Sequence, residues 1–322
     1  MNDKADYIIS LLGTNPLPAF LSILKNSDAN TKVFLVYTSK SQYNIGTKNI
    51  ANNILIVLEE KIENIQIVPI ECDKSDIKAI DGTINEIFNL IIEDMGVKVG
   101  NKKTEKLVLD YSGATKVMSV IFCDRVLAKH IEGLDVVISY LDDNEETIIE
   151  NTKNSIFTSR PSIKKALLST DINIQDITRI HGYSLQNLIH VKGCQTKGGS
   201  NIQYIIPNGK ISLAKKNSGE NSISVDSLAL KNGRLIIYYQ SAYRQGKKDR
   251  YKRELFKVKD IAEKLGGSRS QFVYKCDCKE DVIEGLKKDI RRAYEYEMEK
   301  RLYILKDSES FVDYINMIIE PF

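Results

Sequence analysis

Two short segments combine glycine, small hydroxyl residues and a residue suited to starting a helix, each directly after an apolar run. They are residues 13–16, Gly-Thr-Asn-Pro, and residues 112–116, Ser-Gly-Ala-Thr-Lys. Glycine lets a ligand approach the backbone, and the N–H groups at a helix start attract anions. The turn at residues 37–42, with Thr38, Ser39 and a lysine, has a similar composition. Such turns also serve as ordinary helix caps, but three of them favour a phosphate or nucleotide site.

The sequence contains neither G-x-G-x-x-G nor G-x-x-x-x-G-K-[ST]. The first pattern marks dinucleotide sites and the second marks the phosphate loop of many ATPases and GTPases. Ordinary NAD or ATP binding is therefore disfavoured.

The C-terminal half carries a second group of candidate residues. Asp226 precedes a hairpin signal at Lys231-Asn-Gly, and the strand after the hairpin ends at Gln240-Ser-Ala. Residues 243–253 then combine basic side chains with two tyrosines. Such a composition can bind the phosphates of a nucleic-acid backbone and stack on its bases. A solvated loop and helix face is the plainer interpretation of this charge run. Its candidate nucleic-acid contacts are Arg244, Lys247, Lys248, Arg250 and Lys252.

The elements that must position these residues follow from hydrophobic spacing. From Asp6 to about Glu150, short β-rich runs alternate with helical patterns, which predicts a doubly wound parallel sheet in an α/β domain. The predicted strands are Tyr7–Leu12, Val33–Tyr37, Ile65–Ile70, Leu107–Asp110 and Val136–Leu141. The predicted helices are Pro16–Leu24, Asn49–Ile62, Ile77–Met95 and Ala114–Leu127, after which residues 152–160 break the pattern.

A second α/β domain is predicted after a polar stretch at residues 192–221. Its predicted order is two strands, a helix and a third strand, followed by a long helix, a short strand and a closing helix. The strands are Ser222–Leu230, Arg234–Gln240, Gln271–Cys276 and Leu302–Leu305. The helices are Glu254–Leu265, Asp281–Lys300 and Glu309–Ile319, with Ser162–Leu168 and Ile174–His181 as short connector helices.

The composition is that of a soluble globular protein. A chain of 322 residues exceeds what one core usually holds, so two domains are expected. Its net charge of +3 does not by itself indicate a nucleic-acid partner. The apolar runs are too short to span a bilayer, so we expect a cytoplasmic protein with no membrane association.

Leu-Leu-Gly-Thr-Asn-Pro-Leu-Pro after the first strand and Asp-Tyr-Ser-Gly-Ala-Thr-Lys-Val-Met-Ser after the fourth resemble the sensor domain of the CRISPR-associated Rossmann fold (CARF) family. The resemblance implies a CARF domain at residues 1–152, a helical connector at 153–190 and a second domain at 191–322. It also implies a homodimer that binds a cyclic oligoadenylate made by a type III CRISPR complex. Cyclic tetra-adenylate is the favoured ring, although no residue fixes the ring size. The ligand residues that the resemblance implies are Gly13, Thr14, Asn15, Pro16, Ser112, Gly113, Ala114, Thr115 and Lys116. Thr38 and Ser39 are further candidates from the composition of the third turn.

The second domain resembles the restriction-endonuclease-like core of CARF-linked nucleases, which the PD-(D/E)XK motif characterises. That core implies a divalent Mg²⁺ or Mn²⁺ held by an Asp and by a Glu-x-Lys motif. Asp226 lies at the position of the motif's first Asp and is therefore the candidate metal ligand. The position of Glu-x-Lys, however, is occupied by Gln240-Ser241-Ala242. Asp226, Gln240 and Glu254 are the candidate catalytic residues of this degenerate site. We expect weak or absent metal binding, with a metal required only if nuclease activity is retained.

Three functions remain open. The broken motif favours a receptor that binds the ring and relays this to a domain that binds single- or double-stranded nucleic acid or a partner, with little or no cleavage. The second is a ring-gated, metal-dependent DNase or RNase. The third is a ring nuclease that degrades its own messenger, with Lys116 or Thr14 stabilising the phosphate.

Overall fold

The computed structural model describes the chain in segments that form two compact units. One unit comprises Met1–Thr170 and Arg179–Gly182, and the other comprises Asp171–Thr178 and Tyr183–Phe322. The described residues are 4–39, 46–97, 104–129, 131–142, 147–152, 155–160, 174–186, 191–192, 202–207, 210–213, 222–231, 234–244, 248–266, 270–299 and 302–305.

Five parallel strands form the centre of the first unit, as the sequence predicts. They are β1 (Tyr7–Leu11), β2 (Lys32–Tyr37), β3 (Gln66–Glu71), β4 (Glu105–Asp110) and β5 (Leu134–Asp142). Their spatial order is β3-β2-β1-β4-β5, and every neighbouring pair is parallel. The α/β class with a Rossmann-like first sheet is therefore confirmed.

Four helices connect these strands, close to their predicted positions. They are α1 (Leu17–Asn26), α2 (Lys48–Lys61), α3 (Ile77–Val97) and α4 (Lys116–Ala128). Alternate residues of the strands pack with α3 and α4 in one apolar core that includes Phe34, Phe88 and Phe122, all with no exposed surface. Strand residues of opposite parity, such as Ile8 and Val33, are also fully buried, as expected for a sheet covered on both faces.

The first sheet continues beyond the five predicted strands. Strands β6 (Thr147–Thr152) and β7 (Ser155–Arg160) are added antiparallel after β5 and complete a seven-stranded sheet. The alternation of strands and helices breaks at residues 152–160, as the sequence predicts, but the sheet itself continues through them, which the sequence does not predict. The polar residues Glu150, Asn151, Thr158 and Ser159 hide the strand signal, because strand pairing is made by backbone groups that composition does not reveal.

The connector contains one described helix, α5 (Ile174–Ile180), which confirms the predicted helix at residues 174–181. Arg179 donates two hydrogen bonds to Glu60 of α2, at 2.6 and 2.5 Å, and this pairing lowers the pKa of the Glu60 carboxyl. Gly182 follows with φ +79° against Asn53 of α2. The predicted helix Ser162–Leu168 lies outside the described residues, and the domain boundaries at 152 and 190 stay a prediction.

The second unit is built on a mixed sheet. Its strands are β9 (Val191–Lys192), β10 (Ile202–Pro207), β13 (Ser227–Lys231), β14 (Arg234–Arg244), β15 (Gln271–Asp277) and β16 (Leu302–Leu305), in the order β16-β15-β14-β13-β10-β9. β13 and β14 pair antiparallel with Lys231 opposite Arg234, which confirms the predicted hairpin. β8 (Tyr183–Gln186), β11 (Lys210–Leu213) and β12 (Ser222–Ser224) form a small separate sheet.

Three of these strands fall within residues 192–221 or at their edge, where the sequence analysis places only a polar stretch. β9 pairs with β10, and β11 pairs with β8, through backbone hydrogen bonds. The glycines and lysines that lie between these strands in the sequence hide their apolar residues. The predicted strand Ser222–Leu230 is divided into β12 and β13 at Val225 and Asp226.

Two long helices cover part of the second unit. They are α6 (Lys248–Gly266) and α7 (Glu280–Glu299), and α6 begins six residues before its predicted start at Glu254. The predicted closing helix Glu309–Ile319 lies outside the described residues. Within the described part of the chain, no helix is both long and apolar enough to cross a membrane.

The first core yields a stability prediction. Phe122→Ala should lower the free energy of unfolding by about 3 to 5 kcal/mol, because it removes a fully buried ring from α4. Chemical denaturation of the purified variant measures this. Val120→Ala on the same helix is the matched control, since Val120 is 68% exposed, and its effect should stay below about 0.5 kcal/mol. Equal losses in the two variants would contradict the assignment of the core.

Candidate functional site

The two glycine-containing turns of the first unit lie where the strand order reverses. From β1 the chain crosses to β2 on one side, whereas β4 is followed by β5 on the other, and β1 and β4 are neighbours. In open parallel sheets, ligands bind beyond the carboxyl ends of the strands at such a reversal. The structure thus brings the turn after β1 and the turn after β4 together at one edge.

The backbones of these two turns are in direct contact. A Cβ atom added to Gly13 would overlap the carbonyl oxygen of Gly113. One added to Gly113 would lie 2.5 Å from the Gly13 nitrogen and 2.7 Å from the Leu11 carbonyl oxygen. Both positions therefore exclude any side chain, and the two turns form one continuous backbone surface.

A buried carboxylate supports this surface from below. Asp110, the last residue of β4, has no exposed surface and accepts hydrogen bonds from the hydroxyls of Ser10 at 3.0 Å and Ser112 at 2.6 Å. The Ser112 backbone N–H also points to it, at 3.3 Å. Burial raises the pKa of Asp110 to about 6, and the serine hydrogen bonds partly oppose this shift. Asp110 thus fixes the start of the second turn.

The remaining residues of the two turns start helices or tie loops together. The Asn15 side chain accepts from the Leu17 N–H at 3.2 Å, next to the buried Pro16. Thr115 caps α4 by accepting from the Met118 N–H, and its hydroxyl donates to the Lys74 carbonyl in the turn after β3. These contacts leave Thr14 exposed and Gly113 and Ala114 half-buried at the edge.

The third predicted turn is anchored to α2. The Thr38 N–H donates to the Thr47 hydroxyl at 2.9 Å, and the Thr47 N–H donates to the Thr38 carbonyl at 2.7 Å. Thr38 is buried and Ser39 half-buried. Residues 40–45 lie outside the described part. Thr38 therefore acts mainly as a link between β2 and α2, and Ser39 stands nearer the surface.

The local charge suits an anion. The helices α1, α2 and α4 all start at this edge, and none of them has an acidic residue in its first turn. Lys116 is exposed as the first residue of α4. A lysine at a helix N-terminus opposes the helix dipole unless an anion lies nearby. The edge can therefore attract a phosphate through helix N–H groups and one cation.

Several polar and aromatic residues at this edge are not among the predicted ligand residues. Ser10 and Asp110 each place a polar residue in an apolar strand, three residues before the glycine of a turn, and this pattern is visible in the sequence. Tyr111 stacks on Tyr140 of β5, with ring centroids 5.2 Å apart. No signal in the sequence pairs these two rings, because their contact depends on the alignment of β4 with β5.

In the second unit, Asp226 contacts the strand that carries the degenerate motif. Its carboxylate accepts from the Gln240 N–H at 2.6 Å, and its own N–H donates to the Tyr238 carbonyl at 3.0 Å. The Gln240 side-chain carbonyl accepts from the Tyr238 hydroxyl at 3.4 Å. The structure thus brings Asp226 and Gln240 together, as the sequence predicts, but through the backbone of Gln240.

Glu254 lies on the other face of β14. Its carboxylate accepts from the hydroxyls of Tyr239 at 3.3 Å, Ser241 at 2.6 Å and Tyr274 at 2.7 Å. Tyr239 and Ser241 alternate with Gln240 along the strand, so their side chains and Gln240 point to opposite faces. Glu254 and the Gln240 side chain therefore do not converge.

This set of donors does not fit a Mg²⁺ or Mn²⁺ site of the expected kind. Such a site needs carboxylate oxygens directed at one point, whereas both oxygens of Glu254 accept from hydroxyls and Asp226 accepts from a backbone N–H. Among the residues that the structure describes, no cluster of three or more His, Cys, Asp or Glu could hold a metal.

Two of the predicted nucleic-acid contacts are paired within the second unit. Lys248 and Lys252 of α6 both lie near Asp289 of α7, at 3.2 and 3.1 Å, and they lower the pKa of that carboxyl. Arg250 is exposed. Lys247 and the Arg244 side chain lie outside the described residues. The positive charge of this surface is thus partly balanced.

The contact between the two turns yields a prediction. Gly13→Ala and Gly113→Ala should each disrupt the edge and lower the melting temperature by several degrees, because backbone atoms cannot yield to a Cβ as a side chain can. Gly82→Ala in α3 is the matched control. It meets nothing within 4 Å and should be neutral or stabilising by up to about 1 kcal/mol. A melting temperature equal to that of the wild type in either edge variant would contradict this contact.

No family model matches the chain, and no curated protein matches it. Solved structures do resemble it. Can2 from Sulfobacillus thermosulfidooxidans, in complex with cyclic tetra-adenylate, is similar with a TM-score of 0.62 at 12% identity, over 93% of this chain and 95% of Can2. VC1899 from Vibrio cholerae is similar with a TM-score of 0.64 at 10% identity, over 97% of this chain and 96% of VC1899. The chain therefore shares the fold of Can2 and VC1899 along almost its whole length, which confirms the predicted resemblance at the level of the fold.

Proposed function

We propose that this chain is a type III CRISPR accessory protein that binds a cyclic oligoadenylate, with cyclic tetra-adenylate as the favoured ring. Binding takes place at the carboxyl edge of the first sheet in a homodimer. It is relayed to the second unit, which binds nucleic acid or a partner with little or no cleavage. The observation that carries this proposal is the glycine contact between the turns after β1 and β4.

A nucleotide phosphate fits this edge for two reasons. The backbone contact of Gly13 with Gly113 holds the two turns side by side, so the residues of both turns can contact one ligand. Lys116 and the acid-free first turns of α1 and α4 supply positive potential. The similarity to Can2, whose structure contains cyclic tetra-adenylate, supports a ring of this class.

A homodimer follows from the symmetry of the ligand. A ring of four identical nucleotides can have two-fold symmetry, and an isologous dimer offers the same turns twice around one axis. Each protomer then contributes residues 13–16 and 112–116 to one site.

Helix α2 supplies a physical route for the relay. Thr47, the N-cap residue directly before α2, is hydrogen-bonded to Thr38 at the proposed ligand edge. Near its other end, Glu60 holds Arg179 in a paired hydrogen bond, four residues before Tyr183, where the chain enters β8 of the second unit. A shift of the turn after β2 therefore reaches the connector through one helix.

The second unit favours binding over cleavage. The Glu-x-Lys position carries no charge, and Glu254 is held by three hydroxyls on the opposite face of β14 from Gln240. Lys252 and Lys248 remain as cations beside the exposed Arg250, which supports an electrostatic surface for phosphates.

Calorimetric titration with cyclic tri-, tetra- and hexa-adenylate tests ligand binding. We expect one ring per dimer, and about ten- to hundredfold weaker binding for Lys116→Ala, because a charged hydrogen bond to phosphate is worth about 1.5 to 3 kcal/mol. Lys61→Ala is the matched control, since Lys61 ends α2 at the opposite edge of the sheet, and its affinity should be unchanged.

The same mixtures, incubated with Mn²⁺ and labelled DNA and RNA, decide the output. Binding without cleavage supports the receptor. Ring-dependent cleavage would replace it with a gated nuclease, and turnover of the ring itself would replace it with a ring nuclease. If none of the three rings binds, the proposed function is wrong.

The relay has its own test. In Arg179→Ala, ring affinity should stay within about twofold of wild type, because Arg179 lies away from the ligand edge. Ring-induced changes in hydrogen exchange within residues 183–305 should diminish. Arg253→Ala, an exposed arginine of α6, serves as the control. An unchanged exchange response in Arg179→Ala would exclude this route.

A further inference from the structure

A row of buried polar side chains crosses the first sheet directly beneath the proposed ligand edge. Ser10 of β1, Asp110 of β4 and Ser139 of β5 are register neighbours on three adjacent strands. Their exposed fractions are 0%, 0% and 1%. All the remaining residues of β1 are buried and hydrophobic. The same holds for Leu107, Val108 and Leu109, which precede Asp110 in β4. We call these three side chains the polar row.

Asp110 holds the ligand turn from within this row. It accepts from the Ser112 hydroxyl at 2.6 Å and lies 3.3 Å from the Ser112 N–H, while Ser10 donates to its other oxygen. Ser112 immediately precedes Gly113, whose backbone rests on Gly13. The position of the Gly113 peptide therefore depends on the hydrogen bonds that Asp110 accepts.

Ser139 makes the third member of the row unusual. Its hydroxyl oxygen is buried and has no hydrogen-bond partner among the described residues. Asp110, its neighbour on β4, accepts hydrogen bonds from the hydroxyls of Ser10 and Ser112. A protonated Asp110 would carry an O–H that can donate, and neighbouring strands are about 4.8 Å apart. The two side chains form no hydrogen bond in this structure, so Ser139 must change its χ1 rotamer to accept from Asp110.

We propose that Asp110 is a positioning residue for the ligand turn and that it takes up a proton when an anionic ligand binds, with Ser139 accepting the new O–H. This inference rests on the proposed function, because it concerns the same site. No covalent bond changes: one proton moves from solvent to a carboxylate oxygen of Asp110.

The direction of the linkage follows from the charges. Burial already raises the pKa of Asp110 to about 6. A phosphate at the strand end disfavours a second negative charge and raises this pKa further. Binding therefore takes up protons just above pH 6, and the affinity for the ring should rise as pH falls from about 8 towards 6.

Few other titratable groups face Asp110. Tyr111, next in the chain, has a raised pKa, mainly through burial and to a small extent through the Asp110 charge. Helix α1, which packs on β4, carries Lys25 alone, in its last turn. Lys116 is exposed at the start of α4. The β1 and β5 neighbours, Ser10 and Ser139, are uncharged.

Calorimetry with cyclic tetra-adenylate at pH 6.5, in buffers of different ionisation enthalpy, measures the proton uptake. A group with a pKa of 6 is about a quarter protonated at that pH, so we expect uptake of up to about 0.7 protons per site. Asp110→Asn should abolish the uptake, and Ser139→Ala should reduce it while leaving the fold intact. Binding without uptake in the wild type, or equal uptake in Asp110→Asn, overturns the inference.

A ligand-free measurement separates this inference from the proposed function. The unfolded carboxyl has a pKa of about 3.9, so the folded state binds more protons between pH 4 and 6. The free energy of unfolding of the wild type, relative to Asp110→Asn, should therefore fall as pH rises through that window. Amides of residues 112–116 should exchange faster in Asp110→Asn. If no ring binds but both effects are seen, only the proposed function fails; a flat difference and unchanged exchange overturn the role of Asp110.

Discussion

The first unit depends on the contact between two glycine backbones. Gly13 and Gly113 lie in the turns after β1 and β4, and neither position tolerates a Cβ atom. Because β1 and β4 are the strands where the order of the sheet reverses, this contact closes the edge at the point where α/β folds bind ligands. All other features of the proposed site are arranged around it.

Buried polar groups hold this contact in place. Asp110 is a costly residue in a sheet interior, and it is retained with three donors from Ser10 and Ser112. Helix α2 extends the same edge towards the connector, through Thr47 at its start and Glu60 near its end. Separate hydrogen bonds thus hold the proposed ligand edge and both ends of α2, the helix of the proposed relay.

The candidate catalytic residues of the second unit are engaged with other groups of the protein. Asp226 accepts from the backbone of β14, and Glu254 is surrounded by Tyr239, Ser241 and Tyr274. Three hydroxyls can satisfy a carboxylate as hydrogen-bond donors, so no cation is required to stabilise Glu254 there. These hydrogen bonds support the proposal that the second unit binds and does not cut.

The sequence by itself determined the five parallel strands, their four helices, the β13–β14 hairpin and the two glycine turns, because hydrophobic spacing and turn residues are local signals. Tertiary structure decided the rest. Strands β6, β7, β9, β10 and β11 depend on backbone pairing with distant neighbours, which composition does not record. The contact of Gly13 with Gly113 and the burial of Asp110 join residues about 100 positions apart, and the opposite faces of Gln240 and Glu254 arise only when α6 packs on β14. Such relations are set by strand order and packing, so no local pattern in the chain can carry them.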